Sequence, residues 1–298
     1  MDVMTPESPV DVRGEKIMRA WLWFSLICNM GIVVTGAIVR VTGSGLGCPT
    51  WPRCTPESFV PHPELGIHGL VEFGNRTLTF VLSAAALGAF IQVWRMRGRN
   101  NKLWWITLAV GLGIIAQAVV GGLTVWANLH PAWVQFHLIA SITLIVICVW
   151  GLLLGYRKAP TLVPKNLRGL VVSTFIVTML SVVTGTLTTG AGPHAGDAAT
   201  PRNGLDIEAI ARVHALSAWL VVFFVAVCVF AFHRAKLPHP QKISIWLLAA
   251  VLLQGLIGYV QYFLGIPAGV VWLHMLGLTI LTAAAAWLLF ATKFEPRP

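Results

Sequence analysis

Charge is scarce in this sequence of 298 residues: only 11% of them are Asp, Glu, Lys or Arg, whereas 56% are hydrophobic. An average soluble chain is about one quarter charged, and the mean hydropathy here is +0.77. These values exclude a soluble protein. The few charges cluster between long apolar runs, a pattern typical of a helical protein that crosses a membrane several times.

Two missing motifs narrow the function further. The chain has no Cys-x-x-Cys-His sequence, so it lacks the motif for covalent attachment of a cofactor through thioether links. No DNA-binding motif interrupts the apolar runs, although the net charge is +10. We therefore attribute the basic excess to membrane orientation, and we expect contact with membrane lipid but not with nucleic acid.

Eight apolar windows are long enough to span a membrane as helices, which takes about 20 residues each. They cover roughly residues 19–39, 70–92, 103–125, 132–155, 168–189, 209–232, 243–264 and 268–292. We predict an all-α polytopic membrane protein with eight transmembrane helices. Because eight is even, both termini lie on the same side.

The basic residues identify that side. Of the 21 Lys and Arg residues, 16 lie in the terminal segments or in the loops on the side of the termini. Only five lie on the other side, which also carries six acidic residues: Arg40, Arg53, Arg76, Arg202 and Arg212, with Glu57, Glu64, Glu72, Asp197, Asp206 and Glu208. The positive-inside rule then places both termini in the cytoplasm. The first 18 residues lack the basic-then-apolar order of a cleaved signal, so helix 1 is predicted to remain as a signal anchor.

The chain also repeats itself. Val33-Val34-Thr35-Gly36 recurs as Val182-Val183-Thr184-Gly185, Gln117 and Gly121 recur as Gln254 and Gly258, and Pro131 and His137 recur as Pro267 and His274. We predict two tandem four-helix bundles related by a pseudo-two-fold axis along the membrane normal. The boundaries are a cytoplasmic segment 1–18, a first half 19–158, a second half 159–292 and a cytoplasmic tail 293–298. Close helix packing is the simplest role for the repeated glycines.

Three histidines form one layer near the outer membrane surface. His137, His214 and His274 each follow a predicted helix start by six or seven residues, about 9–10 Å at 1.5 Å per residue. Ionisable residues inside a bilayer usually mark relays or ligand sites. Histidines on facing helices, with no thiolate beside them, suit haem iron better than tetrahedral zinc. We predict that all three bind haem iron, with His214 and His274 as one complete pair.

The first half lacks the matching second histidine. Aligning residues 71–75 with 210–214 puts Asn75 where a histidine is expected. One alternative is that His137 alone binds the iron and leaves an open face, as reaction chemistry requires. The other is that His68, two turns further out, reaches in from an unwound helix start.

The charged residues at the outer ends of helices 2 and 6 each have two alternative roles. Glu72 is either a helix-entry residue favoured by the helix dipole or a proton-handling carboxylate. Arg76 and Arg212 either extend to the membrane interface or pair with carboxylates or haem propionates.

The five cysteines fall into two groups. Cys28, Cys148 and Cys228 lie inside apolar helices, where they behave as small hydrophobic residues. Cys48 and Cys54 flank a short outer segment, where a close pair commonly forms a disulfide. That disulfide either staples the loop or is redox-active.

Several long motifs carry a family resemblance. Residues 35–54 read TGAIVRVTGSGLGCPTWPRC, and helix 2 carries Glu72-Phe73-Gly74-Asn75-Arg76. Residues 117–122 precede His137, and Thr184-Gly185 leads to AGPHAGD at 191–197. Together these motifs, which extend over nearly the whole chain, resemble the haem A synthase family.

The resemblance implies a bacterial plasma-membrane enzyme of cytochrome oxidase maturation. Such an enzyme oxidises the C8 methyl group of haem O to a formyl group by successive hydroxylation, and it carries non-covalent haem b in its second half. The resemblance implies a role for Glu72 and a cysteine pair, here Cys48 and Cys54. Expected partners are haem O, haem O synthase and an electron-transfer partner, whereas the oligomeric state is left open. The family's usual Glu-x-x-His-Arg is broken at Asn75.

Our leading hypothesis is an oxidoreductase that holds haem O beside Glu72 and His137, and haem b on His214 and His274. A di-haem cytochrome that exchanges electrons with quinone is the alternative, and it has no special need for Glu72. A transporter is disfavoured because neither half shows a broken helix pair lined by polar residues near the membrane midplane.

Overall fold

Eight long helices make up almost all of the protein in its computed structural model, which describes residues 11–99 and 101–295. They are α1 (Val12–Val41), α2 (Gly66–Arg97), α3 (Lys102–Trp126), α4 (Pro131–Gly155), α5 (Lys165–Ala191), α6 (Ile207–Arg234), α7 (Pro238–Phe263) and α8 (Ala268–Ala291). A 3-10 turn at Pro63–Leu65 precedes α2. All eight are long and apolar enough to cross a membrane. The prediction of an all-α, multi-pass membrane protein is confirmed.

Most helix ends agree with the apolar windows, but α1 begins at Val12, seven residues earlier than predicted. The Asp11 side chain caps it by accepting a hydrogen bond from Gly14 N at 2.9 Å. Glu15 is buried in the first turn and forms ion pairs with Arg19 and Arg97. Polar contacts thus extend the helix beyond its apolar run. Residues 1–10 and Arg297, which were assigned to cytoplasmic segments, lie outside the described residues.

The structure also contains a small two-stranded sheet that the sequence did not predict. β1 (Thr161–Val163) and β2 (Thr292–Phe294) pair in parallel, with Thr161 opposite Thr292. Arg168 Nη1 donates to the carbonyl oxygens of Leu289 and Thr292 at 2.6 and 3.0 Å. This pairing ends α8 at Ala291 and joins the last helix to the α4–α5 connection.

The helices pack in the same order in both halves of the chain. Each helix contacts the next along the chain, α1 also contacts α4, and α5 also contacts α8. Contacts between the halves run through α1, α4, α5 and α8. One hydrophobic core lies mainly among α1 to α4, and a second lies among α5 to α8.

The two ends of this bundle differ in their connections. We call the end with the α1–α2, α3–α4, α5–α6 and α7–α8 connections the disulfide end, because it contains Cys48 and Cys54. The other end is called the terminal end. At the disulfide end, Gly45 N donates to the Gly196 carbonyl at 2.7 Å, which ties the long α1–α2 loop to the α5–α6 loop.

Candidate functional site

A large cavity lies in the first half, toward the disulfide end. Its volume is about 800 Å³, and helices α1 to α4 form most of its wall. Ligand pockets usually measure roughly 300–1,000 Å³. The lining is mainly apolar, and its charged, amide and imidazole side chains include Arg40, Glu72, Asn75, Arg76, Gln117 and His137. A mostly apolar cavity with a few placed polar groups is the usual form of a cofactor or small-molecule site.

His137 enters the cavity from α4. Its carbonyl oxygen accepts a hydrogen bond from Gln117 Nε2 at 2.9 Å, and the same amide reaches Ser141 Oγ. Gly121 faces the ring: a Cβ atom there would lie 3.5 Å from His137 Cε1. The ring's Nδ1 is buried with no hydrogen-bond partner among the described residues. The imidazole is thus held against α3 by its backbone while its ring nitrogens remain available.

The second half brings two histidines together. The His214 and His274 rings have centroids 6.3 Å apart and planes at 79°. Metal–imidazole bonds are about 2 Å long, so rings on opposite sides of one metal ion have centroids roughly 6 Å apart. The His274 Nδ1 is buried without a partner in the part of the chain that the structure describes. This spacing would allow both imidazoles to bind one metal ion.

Glycines of the repeat make room for these rings. A Cβ atom on Gly185 would lie 3.0 Å from His214 Cε1, and one on Gly258 would lie 3.3 Å from His274 Cε1. Gln254 Nε2 donates to the His274 carbonyl at 2.8 Å, as Gln117 does to His137. The repeated Gln and Gly residues therefore position histidines, a role more specific than helix packing.

Asn75 occupies the place of His214 in the first half. Thr184 Oγ1 lies 3.2 Å from His214 Nδ1, and Thr35, its repeat counterpart, donates through Oγ1 to Asn75 Oδ1 at 2.7 Å. Nothing lies within 4 Å of a Cβ built on Gly36, the counterpart of Gly185. The missing ring leaves open space beside α1, and Gly36 and Asn75 both line the cavity.

Glu72 is a buried carboxylate at the edge of the cavity. Its Oε1 accepts from Arg76 Nη2 at 2.5 Å, and its Oε2 accepts from Cys48 N at 2.5 Å. Arg76 also donates to the carbonyl oxygens of Cys48 and Thr50 at 2.9 and 2.8 Å. The carboxylate is thus fixed between its helix and the disulfide loop.

The disulfide loop, residues 48–54, closes this side of the cavity. Cys48 and Cys54 form a disulfide, as predicted, and both are buried. Trp51 and Pro52 line the cavity, and the Trp51 ring packs edge-to-face on Trp126 at 5.6 Å between centroids. Sequence reasoning missed Trp51, although it lies inside the motif at residues 35–54.

Two of the predicted site residues, His68 and Arg212, do not line the cavity. His68 is exposed, its Nδ1 lies 2.9 Å from Ser44 Oγ, and it does not line the cavity. The structure therefore does not bring it to His137. Arg212 Nη2 pairs with Glu208 Oε2 at 3.2 Å, and both side chains are more than half exposed.

One known protein family and a relative from Listeria monocytogenes each match most of the chain. The COX15-CtaA family, described as "Cytochrome oxidase assembly protein", matches residues 19–68 and 64–286. A "Heme A synthase" of Listeria monocytogenes is 24% identical over 290 residues, which cover 92% of this chain and 95% of that protein.

Two other relatives align over shorter regions. A "Heme A synthase" of Lysinibacillus sphaericus is 28% identical over 55% of this chain and 56% of that protein. One of Geobacillus thermodenitrificans is 25% identical over 49% and 44%. The matched region thus spans about half the length of these two relatives.

Proposed function

Because the chain belongs to the COX15-CtaA family of cytochrome oxidase assembly proteins, we propose that it is a haem A synthase. It oxidises the C8 methyl group of haem O to a formyl group by successive hydroxylation. The expected partners are haem O synthase, which supplies the substrate, and an electron-transfer partner. The terminal end, with most of the Lys and Arg residues, faces the cytoplasm of a bacterial cell, and the disulfide end faces outward.

The observation that carries this proposal is the contrast between the two halves. One half offers a histidine pair at the spacing of two axial ligands. The other offers a cavity of about 800 Å³ with one histidine, an asparagine in the second position and a buried carboxylate. The polarity of the pocket beside a haem and the access to it decide between electron transfer and chemistry.

We assign haem O to the first half, on His137, and non-covalent haem b to the second half, on His214 and His274. Bound haem iron supplies the redox chemistry of the site. The chain's own residues hold the substrate and handle protons. His137 orients the substrate, and the apolar wall with the disulfide loop limits the access of water.

Glu72 is the proton-handling residue in this proposal. Each hydroxylation would replace a C–H bond by a C–O bond, with the two electrons passing to the electron-transfer partner and the hydrogen leaving as a proton, so a group at the cavity edge that takes up and releases a proton would assist the step. Arg76 and Cys48 N fix the two carboxylate oxygens, which keeps the group oriented. The disulfide loop thereby acts on the position of Glu72, whether or not the disulfide is redox-active.

The test is to purify the protein from cells that supply haem O and to identify the extracted pigments by chromatography and mass spectrometry. We expect haem b together with haem O, hydroxylated intermediates or haem A. Haem b alone would favour the di-haem cytochrome, and colourless protein would refute both.

The same assay tests the carboxylate. Glu72→Gln keeps the size of the side chain but removes the proton-handling group. We expect haem b to be retained and conversion to fall by roughly 10²–10⁴-fold. Glu64→Gln, at an exposed acidic residue of the same end, is the matched control and should convert normally. Normal conversion by Glu72→Gln would remove Glu72 from the mechanism.

A further inference from the structure

Arg40, at the disulfide end of α1, is a cation that the cavity leaves without an acidic partner. Its Nη2 donates to the Thr189 carbonyl at 2.5 Å. Its Nε is fully buried and has no hydrogen-bond partner among the described residues. Sequence reasoning gave Arg40 no role, although it lies in the motif at residues 35–54.

The surroundings of Arg40 make its charge costly. No carboxylate lies within 4 Å of its guanidinium in the part of the chain that the structure describes. The charged side chain that acts on it electrostatically is Arg202, also a cation. Among the other partly buried arginines, Arg97 pairs with Glu15 and Arg76 pairs with Glu72, whereas Arg168 donates to backbone carbonyls at the terminal end. Buried charges are normally paired, so an anion is missing here.

The space for that anion is the cavity itself. Arg40 lines it, together with the small residues Gly45, Ala195 and Gly196 at the same end. Because Nε is fully buried, the donors that can reach an anion in the cavity are those on Nη1 and Nη2, and a planar guanidinium binds a carboxylate through two N–H groups. Position 40 corresponds to Thr189 in the repeat, so the second half carries no arginine at the equivalent position.

We propose that Arg40 binds a carboxylate group of the molecule that occupies the first-half cavity. This inference rests on the proposed function, and for a porphyrin substrate the carboxylate is a propionate. Arg40 then fixes the propionate edge toward the disulfide end, which determines which methyl group of the ring lies near Glu72. It is a specificity-determining residue, separate from the iron ligand His137.

The experiment compares two probes on the purified full-length protein with its haem b in place. Haem O and haem O dimethyl ester, in which both carboxylates are blocked, are titrated and followed by the Soret absorption change. We expect the wild-type protein to bind the free acid at least about ten-fold more tightly than the diester, because charge-assisted hydrogen bonds are strong. This comparison needs no variant.

Variants then locate the effect. Arg40→Gln should abolish the preference, whereas Arg40→Lys, which keeps the charge, should retain part of it. Arg99→Gln removes an exposed cation of the terminal end and should keep the full preference. A purely structural role, in which Arg40 only ties α1 to α5, would change thermal stability but not the ratio of the two affinities.

The outcomes separate this inference from the proposed function. If wild-type protein does not bind haem O, the proposed function is wrong and the inference falls with it. If haem O binds but the diester binds equally well, or if Arg40→Gln keeps the preference, only the inference is wrong. Loss of haem b from a folded Arg40→Gln protein would also overturn it, because Arg40 would then serve the second half.

Discussion

The two halves of the molecule place the same Thr-Gly pair against different partners. In the second half, Thr184 and Gly185 enclose the His214 ring. In the first half, Thr35 binds Asn75, and the space beside Gly36 remains open. One residue thus distinguishes a closed histidine pair from a cavity with a single histidine. The two halves have the same arrangement of helices, and the size of the side chain at this position decides what each half can hold.

The largest expected effect comes from removing a histidine of the closed pair. His214→Ala or His274→Ala takes away one of two axial ligands, so most haem b should be lost and its absorption spectrum should change. His137→Ala should leave haem b in place and weaken only the binding of haem O. Absorption spectra and haem content of the purified variants measure this difference.

The control is His239→Ala, which removes an exposed histidine and should preserve both haems. An unaltered haem b spectrum in His214→Ala and His274→Ala would refute the pair. Loss of haem b in His137→Ala would refute the division of roles between the halves.

An intermediate effect should follow from exchanging the residue that separates the halves. Asn75→His places an imidazole opposite His137 and closes the open face. The bound substrate haem should become six-coordinate and low-spin, and conversion should persist because histidine is the family's usual residue at this position. Electron paramagnetic resonance reports the spin state independently of activity.

The reverse change, His214→Asn, should turn haem b high-spin. If Asn75→His left the spin state unchanged, Asn75 would not lie opposite His137 across the substrate iron. The comparison between the halves would then have to be explained by other residues.

The smallest and most graded effect should come from adding a methyl group to each glycine of the repeat. The distance from the new Cβ to the facing ring increases from 3.0 Å for Gly185→Ala to 3.3 Å for Gly258→Ala and 3.5 Å for Gly121→Ala. Overpacking costs typically about 1–3 kcal/mol. Thermal stability and the shift of the haem spectra should therefore follow that order. Gly36→Ala, which meets nothing within 4 Å, serves as the control, and an effect there equal to that of Gly185→Ala would contradict the packing argument.

Some of the site followed directly from the sequence. The repeat fixes the separation of 20 residues between Gln and His in both halves, and both glutamines do bind the carbonyl of their histidine. The difference at position 75 was also visible in the aligned halves. Their assigned haems stay predictions, since geometry alone does not identify the bound molecule.

Other parts of the site could not be predicted from local patterns. The contact of Glu72 with Cys48 joins residues 24 apart through a loop without regular structure. The bond from Arg40 to Thr189 spans 149 residues and crosses between the halves. His68 is on helix 2, as predicted, but it lies outside the cavity because the α1–α2 loop binds it through Ser44.

The sequence by itself determined the eight helices, their repeat and the layer of three histidines, because apolar length and helical spacing are local properties. Only the tertiary structure decided that Asn75 borders open space, that no carboxylate among the described residues pairs with Arg40 and that the disulfide loop holds Glu72. Those features depend on side chains from distant helices and loops that meet in one cavity. Hydropathy and spacing along the chain do not encode which of these side chains meet.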